Sequence, residues 1–357
     1  MALAVLAVAG VVIGAGYTVS SSASPAPTSA AASTRLVTTG QRGPVPSTGC
    51  ALPGGPSVSD ELQGLMVGGT PRWYLLTTPD PTISSPTAGD GRASATTPRP
   101  LVLDFHGVAE TAPLQADTSQ FGTLGQRDGF VVVTPSGTGD PIHWDTTDHS
   151  MFNPDLQFVA ALLDQVEATQ CIDTSRVYAT GFSDGAVMAT QLACTMSSRF
   201  AAIGAVSGLE LQPPCDPTRP VPVIAFHGTT DPILYFNGGV DTPELTDLLG
   251  PGEPMSPPTA ATQPPRLDGP GVPAAVQAWA VKDGCNPRPI DTRVDSQVIV
   301  RRFSCPSGTD VRFYIVLGGG HEWPGSAVSA SSSQFGTTTF EVDATDQTWE
   351  FFLQFQL

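Results

Sequence analysis

Five consecutive residues, Gly181-Phe182-Ser183-Asp184-Gly185, follow the pattern G-x-S-x-G. That pattern sets a serine hydroxyl on a sharp turn between a strand and a helix. Arg176 to Thr180, rich in β-branched and aromatic residues, reads as the strand before it. The two glycines let the backbone close tightly where side chains would strike neighbouring chain. In a sequence with 37 glycines the pattern alone is weak, and its setting gives it weight. A serine hydroxyl is a poor nucleophile near neutral pH. It needs a base to take its proton, an acid to orient that base, and donors for the oxyanion that develops during acyl transfer.

The base must be one of five histidines. His321 follows a strand-like run and Gly318-Gly319-Gly320, and precedes Glu322-Trp323-Pro324-Gly325. A glycine-rich loop past a strand end is where an exposed, adjustable imidazole would sit. His106 and His227 end strands directly before glycine and are expected to brace their turns. His143 and His149 lie in a polar loop. The orienting acid is expected to be Asp231, in His227-Gly-Thr-Thr-Asp-Pro232, with Asp216 as the weaker rival. Asp before Pro is also a common turn cap, and strand-end position decides for Asp231. The oxyanion donors are expected to be the backbone N–H groups of Asp184 and Val108. The Asp184 carboxylate, at a helix N-terminus, should be held along the helix and away from the oxyanion. Trp144 and Trp323 are candidates to contact substrate, although most such aromatics are core.

The elements that must position these groups are legible as apolar runs. Strands are expected at Trp73–Thr77, Leu101–Phe105, Phe130–Thr134, Arg176–Thr180, Ala201–Val206, Val221–Phe226, Val298–Phe303 and Val311–Leu317. Asn153 and Pro154 make an N-cap and first-turn pair, followed by Leu156, Val159, Leu162, Leu163 and Val166 at helical spacing. Further helices are expected over Ala274–Lys282 and Ala344–Phe355. Residues 79–100 read as a surface loop. Residues 236–272 are Pro/Gly-rich and read as an insertion or lid-like loop. Alternating strands and helices predict an α/β fold with a mostly parallel central sheet covered by helices on both faces.

The chain has 357 residues and a formal net charge of −17, with few Lys or Arg to cluster. That balance argues against nucleic acid as a partner. Ala2 to Gly16 is an unbroken small and apolar run, expected within residues 1–20 to be an export signal peptide or, lacking Lys and Arg before it, an N-terminal anchor. Residues 21–47, rich in Ser, Ala and Pro, are expected to be a disordered linker, and 48–357 one folded domain. Six cysteines behind an export signal suggest three disulfides, paired by locality as Cys194–Cys215, Cys285–Cys305 and Cys50–Cys171. Six buried thiols are the alternative. With no C-x-x-C pair, a zinc site is not expected.

Four stretches carry a resemblance: Val221-Pro-Val-Ile-Ala-Phe-His-Gly-Thr-Thr-Asp-Pro232, Gly318-Gly-Gly-His-Glu-Trp-Pro-Gly325, Cys171-Ile-Asp-Thr-Ser-Arg-Val-Tyr-Ala-Thr-Gly-Phe-Ser183 and Leu192-Ala-Cys194. Together they resemble the secreted esterases of the polyhydroxybutyrate depolymerase-like and feruloyl esterase-like family, from about Cys50 to the C-terminus. The resemblance implies an α/β-hydrolase fold, export, no cofactor, and a triad with Ser183 as nucleophile, Asp231 as acid and His321 as base. Chain order Ser, Asp, His agrees with that fold. The residue after the nucleophile, often Asn or Ala in such enzymes, is Asp184 here, and the loop after the acid is unusually long. Both bear on substrate preference and rate. No carbohydrate- or polymer-binding module is visible within these residues, which weakens a role on insoluble polyester. The expectation is a secreted serine carboxylic ester hydrolase, monomeric, acting on feruloyl or acetyl esters of plant polysaccharide. Alternatives are a polyhydroxyalkanoate depolymerase or oligomer esterase, a peptidase, and a catalytically silent surface-binding protein on a hydrolase scaffold.

Overall fold

The structure, a computed structural model, describes residues 43–54, 57–84, 96–240, 263–331 and 335–357. The expected signal or anchor and most of the linker lie outside the described residues, as do much of the 79–100 loop and the centre of the 236–272 loop.

The central element is one sheet of ten strands among the described residues, in spatial order β1-β2-β4-β3-β5-β6-β7-β10-β9-β8. The strands are β1 (Glu61–Val67), β2 (Thr70–Thr77), β3 (Arg99–Phe105), β4 (Val131–Pro135), β5 (Ile172–Phe182), β6 (Ala202–Val206), β7 (Val223–Gly228), β8 (Ile290–Arg293), β9 (Val298–Arg302) and β10 (Val311–Val316). Strands β4, β3, β5, β6, β7 and β10 run parallel in that order, and the flanking strands are antiparallel. The parallel strands read as continuous apolar runs because helices cover both their faces. β3, β4, β6, β7 and β10 are buried along their whole length.

The helices are α1 (Ala112–Ser119), α2 (Phe121–Asp128), α3 (Pro154–Thr169), α4 (Asp184–Thr195), α5 (Val272–Lys282) and α6 (Ala344–Phe352). Asn153 caps α3 as its sequence implies: its side chain accepts the N–H groups of Asp155 and Leu156. Leu156, Val159, Leu162, Leu163 and Val166 are all buried against one core, with α4 and α5. A second core lies on the other face, where Trp349, Phe351 and Phe352 of α6 pack with Tyr178, Phe130 and Phe226.

Strands β1 and β8, the latter exposed along its length, and helices α1 and α2 were not among the expected elements. β1 is a largely exposed edge strand, so burial imposes little pattern on it. A signal was nonetheless present: Gly68 and Gly69, at φ 56° and 86°, form the two-residue turn that joins β1 to β2. Helix α1 has almost no apolar face, and its buried side chains include Gln115, Thr118 and Ser119. Polar burial of that kind leaves no apolar spacing to read.

All three disulfides form as paired by locality: Cys50–Cys171, Cys194–Cys215 and Cys285–Cys305. The first spans 121 residues. In the chain-entropy picture, closing so long a loop in the unfolded chain contributes about 4 to 5 kcal/mol. The segment before it is already docked: Val45 donates its N–H to Asp173 Oδ1 and Ser47 Oγ donates to Gln170 O. Ordered structure therefore begins ahead of residue 48, because the buried Asp173 carboxylate recruits that backbone.

Candidate active site

Four parallel strands deliver the singled-out residues to one edge of the sheet. β3 ends at His106-Gly107, β5 at Phe182-Ser183, β7 at His227-Gly228, and β10 leads into the loop that carries His321. Parallel strands bring their C-terminal ends together, and so assemble a site from residues far apart in sequence.

Ser183 sits between β5 and α4 at φ 54°, ψ −120°, a backbone region that non-glycine residues rarely occupy. Its N–H donates to Val206 O, and its carbonyl accepts from Ala186 and Val187. The glycines on either side are required by close approach. A Cβ at Gly181 would stand 2.4 Å from Gly185 O, and one at Gly185 would stand 2.2 Å from Phe105 O. The strained serine is thus fixed by contacts on both sides.

Asp231 and His321 are brought together. His321 Nδ1 lies 2.8 Å from Asp231 Oδ2. The other carboxylate oxygen, Oδ1, accepts the N–H groups of Ile233 and Leu234, both at 2.8 Å. An ionised carboxylate accepts only, so His321 donates from Nδ1, and Nε2 is left with its lone pair. Burial works against charge on both groups, yet their mutual attraction and hydrogen bond outweigh it: the Asp231 pKa is lowered and the His321 pKa raised. The Phe182 ring packs 4.9 Å from the imidazole, setting His321 beside the serine turn.

The N–H groups of Asp184 and Val108 have no acceptor among the described residues. Both belong to turns that face Ser183. The Asp184 carboxylate accepts the Trp144 N–H at 2.8 Å, which binds the α4 N-terminus to the loop after β4. Burial, partly offset by that N–H, pushes its pKa to about 7.

Trp144 and Trp323 do not present their faces to solvent, with 2% and 1% exposure. A buried indole N–H needs an acceptor, and each has one: His106 O for Trp144 and Thr345 Oγ1 for Trp323. The expectation that they touch substrate gives way to a bracing role beneath the site. His143 and His149 bond the carbonyls of Pro141 and Pro214, away from the Asp231–His321 pair, and Asp216 is exposed.

Sequence reasoning passed over Glu110 and Glu322, and it gave His227 only the bracing of its turn. His227 Nε2, bonded to Leu234 O at 2.8 Å, also lies 3.2 Å from Asp231 Oδ2, so a second imidazole stands close to the oxygen that His321 bonds. Glu110 accepts the Gly107 N–H at 2.9 Å. Glu322, beside the base, is 5% exposed and burial raises its pKa to about 7. The spacing of His227 and Asp231, four residues apart across a strand end, was the available signal for their approach. Among the described residues no group of three or more His, Cys, Asp or Glu side chains is arranged to hold a metal ion.

Fold and strand-end site together define an α/β-hydrolase. Residues 90–248 match the family model described as Esterase PHB depolymerase. The chain is 27% identical over 269 residues to the putative esterase NocK of Nocardia uniformis subsp. tsuyamanensis, covering 71% of this chain and 74% of that one. It is 26% identical over 230 residues to feruloyl esterase B of Piromyces equi, covering 62% of this chain and 39% of that one. Among solved structures it is similar to the acetyl xylan esterase from Aspergillus awamori, with a TM-score of 0.53 at 16% identity, covering 82% of this chain and 98% of the other. It also spans 20% of the bifunctional acetylxylan esterase/xylanase XynS20E of Neocallimastix patriciarum, a part of a longer protein. The chain is thus similar to esterases of the polyhydroxybutyrate depolymerase-like and feruloyl esterase-like family, and it is a carboxylesterase.

Proposed function

We propose that the protein is an exported serine carboxylesterase working through an acyl-enzyme. Ser183 attacks the ester carbonyl while His321 Nε2 takes its proton. The tetrahedral oxyanion is held by the N–H groups of Asp184 and Val108. His321 then returns the proton to the leaving alcohol, and water repeats the cycle to release the acid. Asp231 fixes the imidazole with Nδ1 protonated and stabilises its charged form. The observation that carries this reading is the 2.8 Å bond between His321 Nδ1 and Asp231 Oδ2, beside a serine held at φ 54°. Three disulfides support export.

Feruloyl or acetyl esters of plant polysaccharide are the substrates we favour, on the similarity to feruloyl esterase B and to the acetyl xylan esterase. The family model matched by residues 90–248 favours a second reading, an esterase of 3-hydroxybutyrate oligomers or polymer. The deciding experiment measures hydrolysis of methyl ferulate, p-nitrophenyl acetate and a 3-hydroxybutyrate oligomer by the exported portion and by Ser183→Ala. The variant should lose about 10⁵-fold in kcat on whichever ester is turned over. Turnover of the oligomer without methyl ferulate would transfer the assignment to the second reading. A variant that keeps more than about a hundredth of the rate would rule out Ser183 as nucleophile.

A further inference from the structure

Glu110 occupies a position that the triad mechanism does not use. It lies in the turn after β3, three residues past Gly107, and is half-buried. Its Oε2 accepts the Gly107 N–H at 2.9 Å, and its own N–H donates to Gly107 O at 3.2 Å. The turn is therefore closed from both sides of one glycine. Ala109, inside it, is held at φ 60°, and its N–H donates to Ile142 O. This is the turn that presents the unpartnered Val108 N–H.

The carboxylate also flanks the nucleophile. A Cβ added at Gly107 would lie 3.0 Å from Glu110 Oε2 and 3.2 Å from Ser183 Cβ, so the acid and the serine both border the space over a bare glycine backbone. Its charge acts on His321 across the site. Asp231 is committed to His321 and Asp184 to the Trp144 N–H, while Glu322, past the base, is 5% exposed. Glu110 has its second oxygen, Oε1, beyond the bond to Gly107. The positive charges that act on Glu110 and Asp184 are those of His321 and His143, and both are titratable histidines. Burial raises the Glu110 pKa while the Gly107 N–H and His321 favour its charged form, so in alkaline solution an ester entering this mouth meets a carboxylate beside the serine turn.

We propose that Glu110 is a specificity-determining residue that excludes esters with an anionic acyl group and admits uncharged ones, while its bond to Gly107 braces the oxyanion turn. The proposal rests on the serine esterase reading above. A like charge held a few ångströms from an incoming carboxylate, in a partly dehydrated cleft, is an element of rejection rather than of attraction. The substrate class it defines is a neutral acyl ester, cleaved away from any free carboxylate of the acyl part. Glu110→Gln is isosteric and keeps an oxygen to accept the Gly107 N–H, so it removes charge without removing the brace.

The test compares kcat/KM for p-nitrophenyl butyrate, which is neutral, with the p-nitrophenyl monoester of glutaric acid, which is anionic. It uses wild type, Glu110→Gln and Glu110→Ala at pH 8 and low salt. The ratio of anionic to neutral kcat/KM should rise about tenfold in Glu110→Gln. It should rise similarly in Glu110→Ala, where both rates also fall because the turn is unbraced. The wild-type ratio should rise with added salt as the charge is screened. An unchanged ratio in both variants would overturn the proposal and leave the esterase reading intact. Failure of wild type to turn over either ester would remove that reading and the proposal with it.

Discussion

Strands β3 and β7 end in the same dipeptide, His106-Gly107 and His227-Gly228, and both imidazoles are buried, with 0% and 2% exposure. Their surroundings differ. His106 is enclosed by backbone: Nδ1 donates to Gly107 O at 2.7 Å, and Nε2 accepts the Gly137 N–H at 2.9 Å. Burial, only partly opposed by that carbonyl, holds its pKa down to about 4, so the ring stays neutral. His227 is turned instead toward a carboxylate, with Nε2 shared between Leu234 O and Asp231 Oδ2. What the following loop returns decides the role. After β3 the chain brings back carbonyls and amides, and the histidine becomes a rivet. After β7 it brings back an acid four residues on, and the histidine stands beside the Asp231–His321 pair.

The sharpest way to break the contrast is to neutralise the β7 acid. Asp231→Asn should lower kcat by about 10⁴-fold with KM little changed, because the amide favours the wrong tautomer of His321. Steady-state kinetics on the best ester measure it, and a loss below about tenfold would remove Asp231 from the mechanism. The corresponding blow on the β3 side falls on stability. His106→Ala orphans the Gly137 N–H, removes one of two donors to the Gly107 carbonyl and opens a cavity under Trp144, whose ring lies 5.0 Å from the imidazole. The cost should be about 3 kcal/mol, read as a fall in the denaturation midpoint.

These outcomes follow from features of unequal visibility in the sequence. The buried parallel strands were legible because full burial makes continuous apolar runs, and the Asn153 cap because its chemistry is local. Ser183, Asp231 and His321 could be singled out because each follows a strand end in a recognisable turn. Edge strand β1, with one face wet, carried no such run. Helix α1 hides its logic in polar burial, where Gln115 and Ser119 both donate to Asp104. Trp144 and Trp323 were misread because sequence gives a residue's size and not the partner waiting for its N–H. Glu110 comes beside Ser183 only because β3 and β5 lie side by side, whereas the approach of His227 to Asp231 is local and its spacing was there to be read.

The two acids of these arms should also answer pH in opposite senses. Asp104, on β3, is 0% exposed, and burial raises its pKa to about 7 against the neutral donors Ser119 and Gln115. A raised carboxylate pKa contributes stability that is complete below its unfolded value near 3.8 and is lost as pH rises through about 7. Asp231, with its pKa lowered, contributes stability present above that unfolded value and lost as pH falls through the folded one. Wild type should therefore be less stable at pH 8 than at pH 5, by roughly 2 kcal/mol from Asp104. Asp104→Asn should flatten that slope between pH 5 and 8. Denaturation midpoints across that range decide, and a slope unaltered in the variant would mean Asp104 is ionised throughout.

The finest test separates support from packing at His227. Its Nε2–H donates to Leu234 O at 2.8 Å and stands 3.2 Å from Asp231 Oδ2, and its Nδ1 has no partner among the described residues. Packing alone would make His227→Phe tolerable and His227→Gln no better. An N–H dipole held 3.2 Å from the carboxylate predicts otherwise. With that donor gone, Asp231 loses part of its orientation, and its full charge acts on His321. His227→Phe should lower kcat about tenfold at unchanged KM, the scale of one hydrogen bond to a charged group. The imidazolium of His321 should become more stable, so the acidic limb of kcat/KM against pH should move to higher pH. His227→Gln, whose amide N–H reaches where Nε2–H did, should restore the rate and return the limb toward wild type. Equal losses in both variants with no movement of the limb would reduce His227 to a second rivet, and the two strand ends would then be alike.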